Sequence, residues 1–121
     1  MMLRLSPPGL ERLLQSPHLS ATFGGSEANA VIAMAQLGAP TPFVTVLPEA
    51  NPLAESCIGE LRRFGVDTSM IVRRKGRMGL YFLEPGAGHR STIVLYDRSN
   101  SAMALAKPGD IDWDAVFRNA G

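Results

Sequence analysis

The pair Gly24-Gly25, followed by Ser26, Glu27, Ala28 and Asn29 and then by an apolar stretch closing at Leu37-Gly38, constrains this chain more than any other feature. Two glycines let the backbone approach a group that a side chain would block. The residues after them set polar groups at the start of a helix, where unpaired N–H groups favour oxygen-rich ligands. Alone, such a pair is ordinary punctuation between strand and helix. Its weight comes from the segments downstream of it in the chain.

With 121 residues, 45% of them hydrophobic and 19% charged, the chain has the make-up of one globular domain with a moderate core. Twelve basic and eleven acidic residues nearly cancel, so there is no broad footprint for nucleic acid or an anionic membrane, and small polar ligands remain. The single cysteine, Cys57, cannot form an internal disulfide and reads as a buried thiol beside Ile58 and Leu61. There is no basic start leading into an apolar leader, and no apolar run long enough to cross a bilayer. These features predict a soluble, cytoplasmic protein. Both ends read as cut. Met1 to Leu5 resembles the tail of a strand, and a short helix over 112–120 carries Trp113, Val116 and Phe117 on a face that nothing later in the sequence covers.

Along the chain, Pro7-Pro8-Gly9 breaks the first extended segment, and Leu10, Leu13 and Leu14 predict a short amphipathic turn ended by Ser16-Pro17. Residues 21–23 feed the glycines. The helix over 27–37 is apolar around most of its girth, which predicts burial between layers, with Gly38 as its stop. Residues 43–47 read as an interior parallel strand closed by Pro48. Residues 52–64 read as an amphipathic helix turning Leu53, Cys57, Ile58, Leu61 and Phe64 inward, with Arg62 and Arg63 near its C-terminal dipole and Gly65 as its stop. This alternation is the doubly wound α/β rhythm. Residues 70–73, 79–84 and 91–96 then read as three strands of a small antiparallel sheet, the last two joined by the hairpin chemistry of Pro85-Gly86-Ala87-Gly88. An irregular connection over 100–106 and a turn at Lys107-Pro108-Gly109-Asp110 precede the final helix.

Four segments in this order resemble the N-terminal part of the PfkB-type, ribokinase-like carbohydrate kinases, most closely the 2-keto-3-deoxygluconate kinases. They are GGSEANAVIAMAQLG at 24–38, VLPEANPLAESCIGELRRFGVDTS at 46–69, GLYFLE at 79–84 and IVLYDRSNSA at 93–102. The chain departs from the family pattern at Pro48-Glu49-Ala50-Asn51 and Ala54, where Gly-Asp-Asp and a later glycine are common. It departs again at Asp97, where some relatives have a second tyrosine.

The resemblance implies a partial ribokinase-like Rossmann domain over 1–121 plus a small antiparallel β-lid, with lid strands around 1–23 and 70–98 and the C-terminal nucleotide-binding half absent. It implies a parent that transfers the γ-phosphate of ATP, with Mg2+, to 2-keto-3-deoxygluconate. The alternatives are another PfkB-type sugar kinase (fructokinase or ribokinase-like), a non-catalytic sugar-binding module, or a dimerisation element pairing through the lid. The substrate-binding candidates are Gly24, Gly25, Ser26, Glu27, Asn29, Tyr81, Tyr96 and Arg98. Gly25 and Asn29 would meet sugar hydroxyls. Arg98 would grip the acid's carboxylate through a two-pronged pair of charge-assisted hydrogen bonds, and the tyrosines would offer rings and hydroxyls to the carbon skeleton. No catalytic base is expected on this chain, which predicts no kinase activity for it alone. His18 and His89 read as surface residues with no metal-ligand spacing, and the cluster Arg73, Arg74, Lys75 and Arg77 as a solvated turn.

Overall fold

The computed structural model describes residues 1–118. Strand β1 (Met2–Ser6) pairs antiparallel with β2 (Ser20–Gly24), which runs through Gly25 into helix α1 (Ser26–Gln36). Strand β3 (Thr45–Pro48), helix α2 (Pro52–Arg63) and strand β4 (Ile71–Arg74) form a β-α-β unit in which Val46 lies beside Val72 in parallel register. Strands β5 (Leu80–Glu84) and β6 (Ile93–Asp97) form an antiparallel hairpin, and α3 (Trp113–Phe117) comes last. The strands make two sheets, one ordered β2-β1-β5-β6 and one of β3 and β4.

The β-α-β unit supplies most of the core. All four residues of β3 are buried, and α2 turns Ala54, Cys57, Ile58 and Leu61 inward. Asn51 starts α2 by accepting hydrogen bonds from the N–H groups of Leu53 and Ala54, and Pro52 occupies a first-turn position where no N–H is needed. Gly65, at φ 81°, ends it in the left-handed conformation that a side chain would resist. One buried cluster joins Leu3, Leu47 and Met78 to α2, and a second joins Ala28, Phe43, Leu61 and Val66. Met1 and Ile71 pack against both, so the two sheets meet where β1 begins.

The α/β reading holds, and the structure changes several of its details. The strand at 70–73 does not join the sheet of β5 and β6; as β4 it pairs with β3, and Ile71 faces both core clusters. The four-stranded sheet is mixed rather than purely antiparallel. Leu3, Arg4 and Leu5 run parallel to Leu80, Tyr81 and Phe82, since the whole β-α-β unit lies between those strands as a long crossover. Helix α1 is not enclosed. Val31, Ile32 and Ala35 meet the second cluster, but only Ala28 is buried, and Leu37 stays 88% exposed because no described residue packs on the opposite face. Leu53, in the first turn of α2, also faces outward. A turn forms at 12–15, where the Gln15 N–H donates to the Arg12 carbonyl at 3.1 Å, but of the leucines there only Leu13 is half-buried; Leu10 and Leu14 face solvent, Leu14 with a positive φ of 62°. Residues 119 and 120 of the predicted final helix lie outside the described residues.

Candidate functional site

Strand β2 delivers Gly24 to the start of α1, and Gly24 is where the space is tightest. A Cβ there would lie 2.2 Å from the Tyr81 hydroxyl, so the absence of a side chain is what lets this phenol rest on the glycine turn. Gly25 carries no such demand, since a Cβ at that position would make only ordinary contact, 3.4 Å from Met1 Cα.

Tyr81, on β5, stands directly opposite Tyr96, on β6, so both rings rise from one face of the sheet. Their centroids are 5.9 Å apart and the rings are tilted by 38°. The Arg98 guanidinium lies 5.0 Å from the centre of the Tyr96 ring. Gly24, Tyr81, Tyr96 and Arg98 therefore form one unbroken line of contacts. A cation over a tyrosine face is held by the ring's quadrupole while its N–H edge stays free to donate elsewhere.

Beside this line is a cleft of about 700 Å3, walled by β3 and by the segment just past Arg98, with Glu27 and Arg98 on its lining. The Glu27 carboxylate is held below the usual carboxylate range, first by its own backbone N–H and then by the Ser26 hydroxyl, which donates to it at 3.0 Å. It thus stays an anionic acceptor at neutral pH.

The other predicted residues sit at the margin. Gly24, Gly25, Ser26, Asn29, Tyr81 and Tyr96 do not line the cleft itself. Ser26 and Asn29 are exposed on the first turn of α1, where the Asn29 N–H donates to the Gly25 carbonyl at 2.9 Å.

Asp97 is not a partner for Arg98. It pairs with Arg77, whose guanidinium also donates to the Ser99 carbonyl. The basic cluster is a solvated bend only around the exposed Lys75; its three arginines are tied. Arg73 forks onto the Pro48 carbonyl and reaches Glu55, and Arg74 reaches Asp110 at 3.3 Å. The Arg73 hydrogen bond holds the Glu55 carboxyl low, and the Lys107 N–H, with Arg74 second, does the same for Asp110. Gly76 carries no mark in the sequence, yet a Cβ there would come within 2.8 Å of Ala102 backbone. The sequence gives Arg77 no signal beyond its place directly after Gly76, with Gly79 two residues on.

His18 and His89 are exposed. Burial pushes the Cys57 thiol up to about 11, so it stays protonated and packs against the Met1 sulfur at 3.4 Å. Among the described residues no three of His, Cys, Asp and Glu come together to hold a metal, and no helix is long and apolar enough to cross a membrane.

The chain belongs to the pfkB family of carbohydrate kinases, which it matches over residues 1–120. It is 35% identical to the 2-dehydro-3-deoxygalactonokinase of Haloferax volcanii, covering 95% of this chain and 36% of that protein. Among solved structures it is similar to 2-dehydro-3-deoxygluconokinase from Thermotoga maritima, with 47% identity and a TM-score of 0.91 over 97% of this chain and 36% of that one. An uncharacterized sugar kinase from Pyrococcus horikoshii in complex with ATP is 26% identical, with a TM-score of 0.82 over 95% of this chain and 37% of the other. The chain thus spans little more than a third of the length of these proteins.

Proposed function

We propose that this chain is the substrate-recognition part of a kinase that phosphorylates a keto-deoxy sugar acid, with 2-keto-3-deoxygluconate as the first candidate. The observation that carries the reading is the line from Gly24 through Tyr81 and Tyr96 to Arg98, ending at a cleft also lined by the Glu27 carboxylate. An acid needs a cation, and Arg98 has no carboxylate partner of its own among the described residues. Its fork would take the substrate carboxylate in two parallel hydrogen bonds. Glu27, kept ionised, would accept from sugar hydroxyls, and Gly25 and Asn29 would meet the hydroxyls nearest the helix start. The kinships to two kinases named for such acids support this class of substrate.

ATP with Mg2+ would supply the phosphoryl group and neutralise charge developing on it. Among the described residues no three of His, Cys, Asp and Glu come together as metal ligands. We assign the nucleotide pocket and the catalytic base to the part of the relatives that this chain does not span. What this chain would do is bind the acid, orient its hydroxyl and keep water out. We place the protein in the cytoplasm, in keeping with its single buried thiol.

Titration calorimetry with 2-keto-3-deoxygluconate tests the reading. Arg98→Ala should weaken binding by roughly tenfold or more, the scale of a charge-assisted pair. Equal affinity in the variant would overturn it. Turnover of ATP by this chain would overturn the assignment of the base elsewhere.

One observation favours a second, compatible role. Strand β6 ends its sheet with Ile93, Leu95 and Tyr96 exposed, an edge able to pair with a second copy. A discrete dimer in sedimentation would support it, and a monomer at high concentration would exclude it.

A further inference from the structure

Arg98 is exposed and lies just beyond the last residue of an edge strand, where a long side chain on a mobile backbone would hold a ligand poorly. Its backbone is nevertheless tied on both sides by one residue. The Arg77 guanidinium donates to the Asp97 carboxylate and, at 3.3 Å, to the Asp97 carbonyl. It also donates to the Ser99 carbonyl twice, at 3.1 and 2.7 Å. Arg98 is the single residue between those acceptors. Behind it, the Ser101 N–H donates to the Arg98 carbonyl at 3.2 Å, across a turn in which Asn100 takes a φ of 57°.

Arg77 is itself fixed. Its carbonyl accepts from the Ala102 N–H at 3.0 Å, and neighbouring Gly76 packs on the Ala102 backbone too closely to admit a side chain. A planar fork matched to these acceptors and to the Met78 carbonyl at 3.4 Å loses little freedom on binding them, which makes it a good splint.

We infer that Arg77 is a positioning residue that splints the backbone around Arg98, and that Asp97 serves this splint rather than the ligand. The inference rests on the assignment of Arg98 to the substrate carboxylate. Arg77 and Asp97 are both partly exposed, so their ion pair contributes little to stability, and variants at either position should fold. The worth of the splint lies in order at Arg98.

Two measurements on the chain test this. In the first, Arg77→Gln, Asp97→Asn and Arg98→Ala are titrated with 2-keto-3-deoxygluconate and with its uncharged methyl ester. Arg77→Gln and Asp97→Asn should each weaken the acid by about five- to tenfold while leaving the ester within about twofold, and Arg77→Lys should fall between. A residue that merely supported the fold would weaken both probes alike, and that result would overturn the inference. In the second, the Arg98 side-chain N–H resonance, which the Tyr96 ring 5.0 Å away should displace in the unsubstituted chain, should move toward its free position in Arg77→Gln; an unmoved resonance would overturn the splint. If Arg98→Ala fails to separate acid from ester, the substrate assignment falls while the resonance still decides the splint. If Arg98→Ala separates them and Arg77→Gln does not, the splint falls alone.

Discussion

The missing methyl group at Gly24 is what allows the Tyr81 hydroxyl to reach the turn before α1. Gly24→Ala should cost about 1–3 kcal/mol, because an inserted carbon must push the phenol aside. Tyr81→Phe removes the atom that clashes and leaves the ring carbon at 3.2 Å, so the double variant should lose less than the two single losses added. Denaturant melts of all four proteins check this, and strict additivity would mean the two residues do not meet. Glu27 offers a pH test. Its folded carboxyl is held below the ordinary 4.5 mainly by backbone N–H, with help from Ser26. A depressed carboxyl contributes stability that is present above its unfolded value and lost as pH falls through the folded value. Ser26→Ala should therefore raise the Glu27 midpoint part of the way toward 4.5, measured by NMR titration; an unmoved midpoint would remove Ser26 from the site. The glycine pair, both tyrosines and Arg98 are readable as candidates because each falls in a short segment and the order of those segments matches a family. Arg77 is not. Its acceptor at Ser99 lies 22 residues away, that of Arg73 at Pro48 lies 25, and that of Arg74 at Asp110 lies 36, so a cluster that looks solvated in one dimension is a set of ties in three.

Helix α2 is legible in the sequence because every signal for it is local: Asn51-Pro52 at its start, inward residues at helical spacing, and Gly65 at its stop. It also anchors β3, which forms a wall of the cleft. Asn51→Ala should cost about 1 kcal/mol through the lost cap, and Leu61→Ala about 2–5 kcal/mol through a core cavity. Urea unfolding measures both, and a neutral Asn51→Ala would show that the cap does not support the helix. Strand partners are less legible. Ile71 and Val72 identify a strand without naming its neighbour, and the parallel pairing of Leu3 with Leu80 joins segments separated by the whole β-α-β unit. The burial of α1 escapes the sequence for a related reason: its composition asks for cover on both faces, and among the described residues cover comes from one.

At the scale of the molecule, two sheets meet at Met1 and Ile71 and hold a glycine turn, a tyrosine pair and an arginine in one line beside a cleft that, of these, only the arginine lines. Exposed apolar residues at Met34, Leu37, Trp113 and Phe117 belong to a chain that spans 36% of the Thermotoga maritima kinase it resembles. The central claim is that residues far apart in sequence make a single surface for an anionic sugar. An NMR titration of the chain with 2-keto-3-deoxygluconate tests it most directly. The account predicts that the Arg98 side-chain N–H, the Tyr81 and Tyr96 ring signals and the Gly24 and Gly25 amides shift together along one saturation curve. Shifts confined to the outer faces of the sheet or of α1, with the Arg98 and tyrosine signals unmoved, would contradict it.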